Sequence, residues 1–224
     1  MINTAQINVT VMERFKKLMA NGRLGHAYLL VGAQDSGKTQ TALALAQLVN
    51  CETAIACGEC ASCRKIASGN HPDIHVIGND ELESIKIDEI RHLLGRAHLM
   101  AYEAKTKVFI IRNIETMTHE AANALLKTLE EPSRSTLMIL TTSVPEANLD
   151  TLKSRCHMIQ FFPSSINRIA KILQEDGLKE PEARFLAVYS EGCLGKSRKL
   201  VQQEIIRHKR RILDEMLINR HNDN

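Results

Sequence analysis

A chain of 224 residues with 44% hydrophobic and 25% charged side chains is long enough to bury a real core, and its balance is that of a globular protein, not a disordered or fibrous one. A formal net charge of +3 is too small to argue for nucleic-acid binding by itself, and no apolar run approaches membrane-spanning length. The opening "MINTAQINVTVMERF" lacks a basic start followed by an apolar run, so the sequence predicts a cytoplasmic protein without a secretory signal or membrane partner, in which disulfides are disfavoured.

In chain order, residues 5–21 are predicted helical, with Val9, Met12, Phe15 and Leu18 assigned to one face. "AYLLVG" (27–32) reads as a short buried strand ending in glycine, and "KTQTALALAQLVN" as an Ala/Leu-rich helix. "DIHVIG" is a second strand candidate. Asp88 is taken as the N-cap of a helix that puts Ile90, Leu93, Leu94 and Ala97 on one face. "KVFII" is a third strand, and "THEAANALLKTLEEP" a helix beginning at Thr118 and stopped by Pro132. "TLMILTT" and "HMIQF" complete five strands. Strands alternating with helices predict a mostly parallel sheet covered on both faces. After Pro163 the strand signals stop, and 164–218 reads as three helices broken near 177–181 and 192–195. The predicted organisation is an α/β domain over 1–162 and a small helical domain over 163–224. The basic run Arg207, Lys209, Arg210 and Arg211 reads as a solvated helix face.

"GAQDSGKT" fits the phosphate-loop pattern at Gly32, Gly37, Lys38 and Thr39, between a predicted strand and a predicted helix. Glycines let backbone N–H groups curl around phosphate oxygens, and the helix N-terminus adds partial positive charge. Lys38 would reach the β- and γ-phosphates and Thr39 would ligate Mg²⁺. The competing reading, a chance match on a Gly-rich turn, is disfavoured by the correct flanking elements. The pattern points to ATP and Mg²⁺ as ligands without showing turnover. In an ATPase of this build the strand "KVFII" should end in carboxylates that hold magnesium and position water; here it runs into Arg112 and Asn113. A cation at Arg112 would repel Mg²⁺, and Asn113 cannot accept a proton. Glu115 follows one helical step later and is not expected to compensate.

"CETAIACGECASC" spaces Cys51, Cys57, Cys60 and Cys63 as C-x5-C-x2-C-x2-C. Four thiolates satisfy tetrahedral zinc and leave no open coordination position, so the predicted site is structural. Free buried thiols and a redox pair are the weaker alternatives. The isolated Cys156 and Cys193 read as ordinary buried residues.

"GRLGHAYLLVG", the cysteine cluster, "AANALLKTLEEP" and "LKSRC" occur in this order over roughly residues 10–200. In these segments the chain resembles the clamp-loader AAA+ family of bacterial DNA polymerase III, above all its delta-prime branch, with the gamma/tau subunits as relatives. The resemblance implies an AAA+ P-loop core with a five-stranded parallel sheet, a zinc-binding insertion and a three-helix lid. The helical collar domain that continues such subunits is absent from these 224 residues. It implies assembly with gamma/tau and delta subunits, as a component of the polymerase III holoenzyme, to load the sliding clamp on primer-template DNA. Arg155 in "SRC" matches an arginine finger that acts in trans on a neighbour's nucleotide. Thr142 matches the sensor-one position. Arg112 and Asn113 stand where hydrolysing members carry acids. Gly195 stands where a sensor-two arginine is expected, with Lys196 and Arg198 off register. The implied role is a subunit that lends its finger and hydrolyses ATP poorly or not at all. A stand-alone AAA+ ATPase, a gamma/tau-like hydrolysing subunit and a zinc-dependent DNA-binding module are the alternatives. The missing carboxylates argue against the first two, and the finger argues against the third.

Overall fold

The structure, a computed structural model, describes residues 7–79, 83–133, 135–144 and 150–203. The basic run at 207–211 and the end of the predicted helical domain lie outside them. Among the described residues the elements are α1 (Val9–Ala20), β1 (Ala27–Val31), α2 (Lys38–Asn50), α3 (Ala61–Ser68), β2 (Ile74–Ile77), α4 (Ile87–Ala97), β3 (Lys107–Ile111), a 3-10 turn (Ile114–Thr116), α5 (His119–Glu130), β4 (Thr136–Thr142), α6 (Asp150–Lys153), β5 (His157–Gln160), α7 (Ile166–Glu175), α8 (Glu180–Tyr189) and α9 (Leu194–Gln202). None of the described helices is long and apolar enough to cross a membrane.

The strands form one sheet in the order β2-β3-β4-β1-β5, every pair parallel. β1, β3 and β4 are buried along their whole length, as strands covered on both faces must be. Their side chains alternate between two cores. Tyr28, Leu30, Val108, Ile110, Leu137 and Ile139 pack with Phe15 of α1 and Leu45 and Leu48 of α2. Leu29, Val31, Phe109, Ile111, Met138 and Leu140 pack with Ile90 and Leu93 of α4 and Leu125 and Leu129 of α5. Because β4 and β5 flank β1, the C-terminal ends of β1, β3 and β4 form one edge at the point where the strand order reverses, the usual position of a ligand crevice in such sheets.

Two local expectations need correction. In α1 the buried face is Val11, Met12 and Phe15, while Val9 is 57% exposed. Val9 and Leu18 are separated by about two and a half turns at 3.6 residues per turn, so they cannot share a face. In α4 the N-cap is Lys86, not Asp88, which sits inside the first turn beside Glu89. The Glu89 carboxylate accepts the Lys86 N–H at 3.0 Å, and Ile85 is buried in the parallel bridge to Met117, which keeps the chain extended up to that point.

The described chain divides into two compact units, one running through Ala33 and from Gly37 to Phe162, the other taking Gln34–Ser36 and the chain from Pro163 onward. The second contains α7, α8 and α9, with turns at Gly177 and Gly192 in left-handed conformation. A Cβ at Gly192 would fall 2.2 Å from the Ser164 carbonyl oxygen, so the turn before α9 requires glycine. Arg198 is bound to the Asp176 carboxylate at 2.8 and 2.9 Å, and Lys196 lies 3.8 Å from Glu191.

Candidate functional site

The phosphate loop leaves the end of β1 in a cramped position. Gly32 N donates to the Thr142 carbonyl at 3.2 Å, and a Cβ on Gly32 would lie 2.6 Å from the Phe161 carbonyl oxygen. Gly37 adopts φ 89° and begins α2 without a capping side chain. No acidic residue sits in the first turn of α2, so the positive end of its dipole is not offset there. Lys38 is buried; its Nζ donates to the Gly32 and Ala33 carbonyls, each at 2.7 Å, and to Ser143 Oγ at 3.2 Å. Thr39 follows on the same helical turn, half-buried. The loop therefore brings an ammonium, a hydroxyl and a helix N-terminus to the C-terminal edge of the sheet, a donor set suited to a polyphosphate.

The neighbouring strand ends carry the rest of that edge. Thr142 is fully buried, and its hydroxyl closes on its own turn: Oγ1 donates to the Val144 carbonyl at 3.2 Å and Val144 N–H reaches back to Oγ1 at 3.1 Å. The hydroxyl that meets Lys38 is that of Ser143, the residue just after β4, which sequence reasoning missed. After β3, Arg112 N donates to the Ile77 carbonyl, and Asn113 turns the chain with φ 52° and ψ 56°. Asn113 N donates to Thr141 Oγ1 at 3.1 Å, and its side-chain Nδ2 donates to the Asn79 carbonyl at 2.8 Å. The nearest carboxylate past β3 is Glu115, whose Oε1 accepts the Ser143 N–H at 3.0 Å.

The four cysteines converge. Cys51, Cys57, Cys60 and Cys63 place their Sγ atoms within 4.8 Å of one another, with Cys51 and Cys57 Sγ 3.6 Å apart. Tetrahedral zinc with bonds of about 2.3 Å needs sulfurs about 3.8 Å apart, so the cluster fits the ion. Burial works against ionisation of Cys51, but N–H bonds led by that of Cys57, with the Thr53 hydroxyl, outweigh it and bring its thiol down to about 5. Burial pushes the Cys63 thiol up to about 12. The cluster is tied to the sheet domain by contacts with no motif signature: Gln47 Nε2 donates to the Cys63 carbonyl at 2.9 Å and Lys105 Nζ to the Cys51 carbonyl at 2.8 Å.

Arg155 stands apart from both. It follows α6, just before β5, so it lies at the N-terminal edge of the sheet while the phosphate loop lies at the C-terminal edge. His157 is in register with Tyr28, three residues before the end of β1; at about 3.3 Å per residue that alone separates the two edges by about 10 Å. The guanidinium is held in a fixed pose: Nε donates to Glu130 Oε1 at 2.7 Å, Nη2 binds the same oxygen, and Nη1 donates to the Thr151 carbonyl at 2.8 Å. A third of the side chain remains exposed. Glu130 belongs to the quoted "LLKTLEEP" segment, but the pairing is not local and periodicity could not reveal it. The adjacent Cys156 thiol is pushed up to about 12 by burial, which leaves it an inert packing residue.

Comparison with known proteins agrees with this architecture. A sequence model of the family described as DNA polymerase III, delta subunit, matches residues 7–165. The chain is 38% identical over 184 residues to the DNA polymerase III subunit delta-prime of Bacillus subtilis, covering 81% of this chain and 56% of that subunit. It is 40% identical over 146 residues to delta-prime of Pseudomonas aeruginosa, covering 63% and 44%. It is 35% identical over 195 residues to the tau subunit of Escherichia coli, covering 82% and 30%. The chain thus spans about half or less of the length of these relatives. Among solved structures, a gamma subunit-related protein of Thermotoga maritima superposes with a TM-score of 0.52 at 22% identity, covering 84% of this chain and 57% of that one. The RuvB branch migration motor of T. maritima gives 0.54 at 18% identity, covering 88% and 61%. Those structural likenesses speak to the fold alone, an AAA+ one. With the family model spanning most of the residues and delta-prime subunits matching at this level, the chain belongs to the delta-prime branch of the DNA polymerase III clamp-loader family.

Proposed function

We propose that this chain acts as a delta-prime-type clamp-loader subunit in the cytoplasm, assembling with gamma/tau and delta subunits to load the sliding clamp on primer-template DNA, and that its contribution to ATP hydrolysis is Arg155 offered to a neighbour. The observation that carries this reading is the placement of Arg155. It sits at the edge of the sheet opposite its own phosphate loop, preset by Glu130 and the Thr151 carbonyl, and partly exposed. A planar guanidinium so presented can meet a phosphoryl group on another subunit and not its own. There it would neutralise charge that develops as the phosphoryl group leaves.

On this reading the loop from Gly32 to Thr39 holds ATP or ADP with Mg²⁺, bound with little or no turnover. Asn113 spends its side chain on the Asn79 carbonyl, and Arg112 brings positive charge to the end of β3, so neither offers the acid that hydrolysis needs. Cys51, Cys57, Cys60 and Cys63 would hold one structural zinc that cross-links the insertion. The test is DNA- and clamp-stimulated ATPase of a loader reconstituted with gamma-type subunits. Arg155→Ala should slow hydrolysis without changing assembly. Arginine fingers are worth about 10³–10⁵ in rate, and the loss here should be smaller because other interfaces continue to turn over. Arg155→Lys should resemble alanine, because a point charge lacks the planar fork. Unchanged hydrolysis and clamp loading in both variants, with assembly verified, would overturn the reading.

A further inference from the structure

We propose that Glu115 is the acidic group that meets the divalent cation of a nucleotide held on the phosphate loop, standing in for the carboxylates that Arg112 and Asn113 do not provide. The inference rests on the reading of that loop as a nucleotide site and departs from the expectation, drawn from the sequence, that Glu115 does not compensate.

The backbone brings Glu115 to this position in three steps. Asn113 adopts a left-handed conformation, which turns the chain sharply as it leaves β3. Ile114 is fully buried and pins the 3-10 turn against the core shared by β3 and β4. Glu115 is thereby swung over the end of the adjacent strand, where Oε1 accepts the Ser143 N–H at 3.0 Å. Ser143 also accepts the Lys38 ammonium, on Oγ at 3.2 Å. One residue thus bridges the Glu115 carboxylate and the lysine of the phosphate loop.

The second carboxylate oxygen is the informative one. Glu115 Oε2 is buried and has no hydrogen-bond partner among the described residues. A buried carboxylate oxygen without a donor is costly, and such a group is retained where a cation or a bound water meets it. Mg²⁺ bound with a nucleotide takes one or two carboxylates together with phosphate oxygens and keeps several waters, so a single acid held at this edge suits it, directly or through one water. The Thr39 hydroxyl is the other protein group at that edge of the type magnesium accepts.

The charge makes a prediction with two opposite signs. Without metal, Glu115 repels the nucleotide phosphates; with metal, it is offset by the cation. Glu115→Gln keeps the shape and the acceptor for Ser143 while removing the charge. ADP binding to the full chain, measured calorimetrically in magnesium and in EDTA, should therefore show a tighter complex in EDTA and a weaker one in magnesium than the unsubstituted protein. The magnesium increment should shrink by about tenfold, the equivalent of about 1.4 kcal/mol. Mn²⁺–ADP bound to the protein should show a changed electron paramagnetic resonance signal in the variant. Melting temperature and zinc content serve as controls for the fold. An unchanged magnesium increment and manganese spectrum in Glu115→Gln would overturn the proposal and leave nucleotide binding standing. Equal weakening in magnesium and EDTA would overturn it in favour of a purely structural role. No binding by the unsubstituted chain, matched by Lys38→Ala, would overturn the nucleotide reading and this proposal together. If Glu115→Gln does not fold, Glu115→Asp, which withdraws the carboxylate by one methylene, carries the same comparison; a full magnesium increment there would also refute the assignment.

Discussion

On the proposal that the cysteine cluster holds a structural zinc, stripping that ion should open residues 51–68 and leave the sheet intact. The insertion has little core of its own: its fully buried side chains are Cys51, Cys63 and Ile66, and of these only Ile66 belongs to the core that covers the sheet. It is held from outside by hydrogen bonds from Gln47 to the Cys63 carbonyl and from Lys105 to the Cys51 carbonyl, and by the exposed Lys65–Glu103 ion pair. Exposing Ile66 costs about 1.5–3 kcal/mol, the Gln47 and Lys105 hydrogen bonds about 0.5–1.5 kcal/mol each and the exposed ion pair little, so detachment should destabilise the domain by about 2.5–6 kcal/mol. At roughly 2–4 °C per kcal/mol for a chain of this size, the melting temperature should fall by about 5–24 °C. That destabilisation is below the middle and upper part of the usual total stability of a domain, about 5–15 kcal/mol, so in a domain of that stability cooperative melting should persist. The assay compares zinc-loaded and chelator-treated protein by circular dichroism melts, zinc release on thiol modification, and limited proteolysis. Cleavage should appear within 51–68 first. A metal-free protein that melts at the same temperature would show that no ion contributes. One that has lost its sheet before heating would show that the insertion is integral to the core, against the packing described.

The isolated chain should turn over ATP negligibly, because Arg112 and Asn113 supply neither a metal ligand nor a base; turnover near that of a working AAA+ subunit, abolished by Lys38→Ala, would refute this. Asp73 should set the acid limb of stability. It is buried and accepts the N–H groups of Tyr102, Glu103 and Ala104 at 2.8–2.9 Å. Burial pushes its pKa up, but those three bonds outweigh it and hold the carboxyl below its ordinary value. A lowered folded value means stability that is complete above the unfolded value of about 3.9 and lost as pH falls through it toward the folded one. Asp73→Asn should cost about 2–4 kcal/mol in urea denaturation at neutral pH and flatten the decline below about pH 4; a variant with an unchanged acid limb would assign that limb to other groups.

Elements whose residue types dictate their conformation were legible in the sequence. "AYLLV" and "KVFII" are too short and too uniformly apolar to be anything but strands buried on both faces, and Gly37-Lys38-Thr39 after such a strand leaves little choice of local structure. The chain breaks at Gly177 and Gly192 were readable for the same reason. The features that escaped depend on partners distant in sequence. α3 was not foreseen because "ASCRKIAS" offers only Cys63 and Ile66 as buried residues, and its ends are set by Cys60 and Gly69. The Arg155–Glu130 pair joins two segments that only the sheet brings together. Glu115 could be seen in the sequence, but its direction depends on the left-handed turn at Asn113 and on β3 lying beside β4. Asp88 failed as a cap because Ile85 and Glu89, on either side of it, fix where the helix begins.

The strand order also has a consequence during synthesis. β1 is the strand that delivers the phosphate loop, yet neither of its neighbours precedes or directly follows it: Ala27 waits for Met138, and Tyr28 for His157. On a ribosome, the apolar "AYLLV" emerges long before anything exists to pair with it. The phosphate loop cannot acquire its shape until β4 has arrived and β5 has closed over Gly32 with the Phe161 backbone. Such long-range pairing slows folding and leaves nascent chains open to aggregation. Until β4 is made both edges of β1 are open, and a nascent fragment ending anywhere between Thr142 and His157 would still leave one of them as a sticky sheet edge.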